Sequence, residues 1–191
     1  MILSRLRVTA GLAAAVCLSA GCASPASIKP AEVTDERTGM TVGSLDKPIE
    51  LRQGAAQNSV VIDRRISRAY LGPVEWDAMG TVSYGLWVHV LPGRDWQFED
   101  IKAPGAVTLS LDSGAAALSA IEAPKLAHGP YQPVGSWGQT QYFRADVDLL
   151  KRMASSGTIE LDVKAGGESV RFTADSDARE TLSRYLHARG Y

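Results

Sequence analysis

The stretch Val82-Ser83-Tyr84-Gly85-Leu86-Trp87-Val88-His89-Val90-Leu91 decides the fold class. Successive side chains of an extended strand point to opposite sides. Val82, Tyr84, Leu86, Val88 and Val90 therefore share one face, and Ser83, Gly85, Trp87, His89 and Leu91 share the other. Trp87 and Leu91 make the second face partly apolar as well, which predicts a central strand covered on both sides. Pro92-Gly93 ends it.

The same period runs outward from this strand. Val107, Leu109 and Leu111 alternate with Thr108, Ser110 and Asp112, and Asp112-Ser113-Gly114 turns the chain into Ala115 to Glu122, which predicts a hairpin. Ile159, Leu161 and Val163 alternate with Glu160, Asp162 and Lys164. After Ala165-Gly166-Gly167-Glu168, Val170, Phe172 and Ala174 answer them across the cleanest hairpin in the chain. Gln139 to Arg144 reads as a further strand. Weaker strand candidates are Ile49 to Gln53, Ser59 to Asp63, Ile66 to Tyr70 and Val74 to Trp76, with Pro73 limiting how central the last can be.

Two helices interrupt this pattern. Asp146 is placed to cap a helix from Val147 to about Ser155, with Gly157 as its stop. Asp177-Ala178-Arg179-Glu180 reads as a capping box opening a terminal helix that buries Leu182, Tyr185 and Leu186 and ends at Gly190. The expected fold is mainly β, with α+β character at the C-terminus. It is an antiparallel β-sandwich or open barrel with a short inserted helix and a C-terminal helix.

Upstream of the domain the chain changes character. Arg5 and Arg7 precede an apolar run from Val8 to Leu18, broken only by Thr9 and Gly11, and Ser19-Ala20-Gly21-Cys22 follows. A positive head, a short apolar run and small residues make a secretion signal. At about 11 residues the run is well short of the ~20 that a membrane-spanning helix needs. The organisation expected is a signal peptide over 1–21, a tether over 22–38 and a single domain over 39–191. The tether's small, polar, proline-containing residues span about 20 Å as a flexible chain.

Ser19, Ala20, Gly21 and Cys22 resemble the lipobox of bacterial lipoproteins. That resemblance implies a diacylglyceryl group on the Cys22 thiol and cleavage before it. The bulky aliphatic that usually stands three before the cysteine is here four before it, as Leu18. The other cysteine of the chain, Cys17, lies inside the apolar run and would be removed. A single cysteine left in an exported protein forms no internal disulfide, and lipidation accounts for it. Ala23, rather than an aspartate, follows the cysteine, which favours the outer membrane facing the periplasm if the organism has one. The domain also resembles small bacterial envelope lipoproteins at Asp35-Glu36-Arg37-Thr38-Gly39 and Tyr84-Gly85-Leu86-Trp87-Val88. That resemblance brings no activity with it.

Charge narrows the partners. The chain carries a formal net charge of −1, and removal of Arg5 and Arg7 makes it −3. A mildly acidic domain is poorly suited to nucleic acid, so the expected partners are the membrane, through the lipid, and an envelope protein or cell-wall component. Neither Gly80 to Gly85 nor Gly135 to Gly138 fits the spacing of a serine elbow. His89, His128 and His187 stand far apart with no ligand spacing, so neither a metal nor a cofactor is expected. His89, between Val88 and Val90, reads as a half-buried histidine with one hydrogen bond.

Two stretches remain as candidate sites. Asp95, Glu99 and Asp100 surround Trp96 and Phe98, and a carboxyl beside an aromatic wall suits general-acid work or sugar binding. The plainer reading is an acidic surface loop whose aromatics plug the end of the sheet. Ala127 to Gln141 combines glycines and prolines with Tyr131 and Trp137, and runs on to Tyr142. Long loops of this kind bind ligands or cover a core, and covering the core is the preferred reading. Two functions follow: a non-catalytic envelope binding module, or an envelope hydrolase for glycan or peptide built on Asp95, Glu99 and Asp100. The first is preferred.

Overall fold

The computed structural model describes residues 28–54 and 66–191. The strand candidate Ser59 to Asp63, and Cys22 itself, lie outside the described residues. The central prediction holds: the described residues form one antiparallel sheet of eleven strands, curled into a half-barrel, with two helices. The alternating stretch becomes β5 (Thr81–Leu91), paired along its whole length with β4 (Arg68–Ala78) on one side and with β9 (Gln139–Ala145) on the other.

Beyond β4 come β3 (Ile49–Gln53), β11 (Glu168–Ala174), β10 (Ile159–Ala165), β6 (Val107–Leu111) and β7 (Gly114–Ala117). Beyond β9 the described strands include only the short β8 (Ala120–Ile121). Both hairpins read from the sequence form in the expected register, with Ala165 opposite Glu168 and Leu111 opposite Gly114.

Register places one row of side chains inside the curl. Leu51, Leu71, Leu86, Phe143, Leu161 and Phe172 are all buried on this inner face. The helices close it: α1 (Val147–Ser155) buries Leu149, Leu150 and Met153, and α2 (Ala178–Ala188) buries Leu182, Tyr185 and Leu186. Each fully buried aliphatic or aromatic side chain contributes about 1.5–3 kcal/mol.

The Asp146 cap forms as expected, its carboxylate accepting from Leu149 N at 2.7 Å. The terminal helix also stops at Gly190 as expected, with φ 84° there, but two other helix ends differ. Asp177 is already in the helical region and its side chain makes no capping bond, so the expected capping box does not form. α1 ends at Ser155 with Ser156 as its C-cap, and Gly157, which follows directly, does not take the positive φ of a left-handed helix stop. There the Asp112 carboxylate accepts from Gly157 N at 2.6 Å and Thr158 N at 3.2 Å, so the chain end is held from the β6–β7 turn.

Two further strands depart from the sequence reading. β1 (Pro30–Thr34) lies in the stretch expected as tether and pairs with β2 (Thr41–Leu45), so the folded domain starts earlier than residue 39. The segments read as Ile66 to Tyr70 and Val74 to Trp76 are one strand, β4, with Pro73 in its middle. β4 is long enough to take two partners along one edge: β3 opposite Arg68–Leu71 and β2 opposite Glu75–Asp77. Pro73 falls in the interval between them. In an antiparallel pair bonding residues alternate, and the two-residue turn after Ala78 directs odd-numbered β4 residues toward this split edge. The missing proline N–H therefore costs no rung.

A side chain fills the interval instead. Continuing the β2–β4 register sets Leu45 opposite Pro73. The Tyr131 hydroxyl sits between them, accepting from Leu45 N at 2.9 Å and donating to Pro73 O at 2.8 Å. It replaces one rung of the ladder.

Candidate functional site

On most strands the outer face of the half-barrel is wet. Arg171, for example, pairs with Asp162 at 2.8 Å and Glu160 at 3.3 Å in solvent. Over β2, β4, β5 and β9 it is covered. Trp76, Tyr70, Trp87, His89 and Leu91 all point outward there by register, and all are buried. The cover is the chain between β8 and β9, which crosses this face and includes the loop singled out from the sequence.

Tyr131 anchors the crossing. It is buried and pushed far above its ordinary pKa by that burial. Its ring packs on Trp87 with centroids 5.1 Å apart. It lies so close to the backbone that a β-carbon at Gly72 would stand 2.7 Å from its hydroxyl oxygen. His89 provides the second fastening. It is fully buried and makes two hydrogen bonds, where the sequence suggested half-burial and one. Nε2 donates to Val134 O at 2.9 Å, which leaves Nδ1 to accept from Thr140 Oγ1 at 2.7 Å. Burial holds its pKa below the ordinary histidine value, and the neutral ring stacks on Trp87 with centroids 5.6 Å apart.

The three aromatics proposed for this loop therefore have separate roles. Tyr131 is a buried fastening. Tyr142 on β9 packs against Trp76, 5.6 Å between centroids, and burial pushes its hydroxyl up to about 12. Trp137 is exposed at 42% and rests near Gly135. They do not meet in one open platform.

The acidic stretch is arranged differently. Asp95, Glu99 and Asp100 are all exposed, and Asp100 accepts from the amide of Lys102 at 3.0 Å. Trp96 and Phe98 turn inward onto the core, with the Phe98 ring 6.0 Å from Phe172. Among the described residues no group of three His, Cys, Asp or Glu is placed to hold a metal ion, and no helix is long and apolar enough to cross a membrane.

A groove of about 390 Å³ opens where the crossing chain meets the β1–β2 ribbon. Val33 and Val42 form its floor, Ala127 to Pro130 one wall, and Asp35, Glu36 and Asp46 its charged rim. Asp35 fixes its shape. Its carboxylate accepts from Thr38 N at 2.9 Å and Thr38 Oγ1 at 2.8 Å, closing the β1–β2 turn, and from Ala127 N, holding the wall. These bonds, the Thr38 hydroxyl's first, lower its pKa below the ordinary aspartate value.

In the sequence Asp35 to Gly39 carry only a resemblance, and nothing there marks this groove. A turn signal was present in local form, since an aspartate three residues before a threonine is a turn builder. Its reach to Ala127, far along the chain, was not legible. No protein-family model, curated protein or solved structure matches the chain.

Proposed function

We propose that the protein is a lipid-anchored lipoprotein of the cell envelope whose mainly β domain serves as a non-catalytic binding module. The observation that carries this reading is the signal ending in Ser19-Ala20-Gly21-Cys22, with Cys22 the single cysteine that remains after cleavage. Two or more acyl chains at about 0.8 kcal/mol per buried methylene hold a protein stably on a bilayer without further contacts. The domain needs no basic patch or amphipathic helix for this, and its mildly acidic charge agrees. In an organism with two membranes the protein sits on the outer one, facing the periplasm.

The domain's chemistry supports binding rather than turnover. His89 and Tyr131 are committed to fastening one segment of chain across the sheet, and Asp35 to shaping a groove. Cys22→Ser tests the anchor. Expected is loss of both acyl labelling and membrane retention; a variant that stays with the membrane overturns the reading.

A further inference from the structure

We propose that the groove between β1 and Ala127–Pro130 binds an extended, basic segment of a partner protein; this rests on the binding-module reading and names the partner's chemistry. Three features of the groove converge on that occupant.

The first is its apolar floor. Val33 is 66% exposed near the end of β1, opposite buried Val42. An apolar side chain on a strand face gains about 25 cal/mol for each Å² removed from water, and nothing else among the described residues covers this one. The second is charge. Asp35, Glu36 and Asp46 line the groove, and no lysine or arginine does. The nearby Arg37 guanidinium is turned onto Lys125 O. A cationic occupant complements this rim and an anionic one is repelled.

The third is the strand edge. Asp35 N donates to Met40 O and Asp46 N to Lys29 O, which identifies the bonded pairs of the ribbon. By alternation Ala31 and Val33 bond toward β2, while the N–H and C=O of Glu32 and Thr34 point away from it. β2 is the only partner of β1 among the described strands. An added strand takes up these groups in the plane of the sheet beside β1, and its outward side chains come next to Val33; main-chain bonds supply affinity in this mode and those side chains supply selectivity.

Geometry sets the length. Asp46 stands opposite Lys29 at one end of β1, and exposed Glu36 stands just past the other end, seven positions after Lys29. At about 3.3 Å per residue these two carboxylates bracket roughly 20 Å of chain. An extended heptapeptide with a cationic residue at each end and alternate apolar residues between them matches that span.

The test uses the full chain in detergent and a fluorescein-labelled peptide of sequence Lys-Val-Thr-Val-Thr-Val-Lys, with Glu-Val-Thr-Val-Thr-Val-Glu as its control. Fluorescence anisotropy is expected to show saturable binding of the lysine peptide only, weakening as salt rises. The variant carrying Glu36→Gln and Asp46→Asn is expected to bind about tenfold more weakly while keeping its far-ultraviolet circular dichroism. Equal binding of both peptides, or binding untouched by the double substitution, overturns the proposal. So does self-association of the chain that the lysine peptide displaces, which assigns the groove to a second copy. Acyl labelling at Cys22 is scored separately, so failure of the groove and failure of the anchor are distinguishable.

Discussion

The Tyr131 ring occupies the space that a β-carbon at Gly72 would need, so the crossing chain and the middle of β4 are fitted at a single point. Gly72→Ala forces one of them to move. Overpacking of this kind costs about 1–3 kcal/mol. Tyr131→Phe keeps the ring but leaves Leu45 N and Pro73 O without their bridge, at a cost of about 1–3 kcal/mol. Urea unfolding of each variant checks both. A neutral Tyr131→Phe result removes the hydroxyl rung from the account.

The end of the chain offers a second test. The Arg189 guanidinium lies over Gly43 on β2 and pairs with Glu75 on β4 and Glu32 on β1. Glu75 is buried, and its pairing is the main reason the Arg189 pKa is raised above its ordinary value. Arg189→Met strands that carboxylate, with an expected loss of about 3 kcal/mol. Adding Glu75→Gln recovers most of it, because a neutral amide tolerates burial. A double variant no more stable than Arg189→Met alone contradicts this.

His89 predicts a pH dependence. Its folded pKa lies below the ordinary value, so under mildly acidic conditions the unfolded chain binds a proton that the folded one refuses. Stability from this group is complete above the unfolded value near 6.5 and falls as pH drops below it, by at most about 1.4 kcal/mol per pH unit. Unfolding midpoints at pH 7.5 and 5.5 should therefore differ less in His89→Gln than in the parent. An equal difference in the two proteins removes His89 as the cause.

A fourth prediction concerns the β4–β5 turn. Met79 and Gly80 both have positive φ, 54° and 89°, as a type I′ hairpin turn requires. Methionine is poorly suited to that region, and this one is fully exposed at the tip. Met79→Asn should raise stability by about 0.5–1 kcal/mol with no change in fold. A lower melting temperature would show that the Met79 side chain has a contact of its own.

What the sequence disclosed follows from where each element lies. β5 and the β10–β11 hairpin were legible because one face is uniformly apolar and turn residues bound the runs. β1 was not: three of the five residues in Pro30-Ala31-Glu32-Val33-Thr34 are exposed, so no burial period marks them. Pro73 read as a break because its tolerance depends on the interval between β2 and β3, which exists only once three strands are assembled. The same limit hid the roles of Tyr131 and Asp35, whose partners lie 58 and 92 positions away. Local pattern carried the strands; the fastenings are tertiary.

The contact between Glu32 and Arg189 joins residues 157 positions apart. Pairing of β3 with β11 likewise links Leu51 to Ala174 across most of the domain. Contacts of such long range are slow to form and cannot begin until both segments are available. The domain thus lacks its closing staple until its last helix is present, and it commits to its final shape only then.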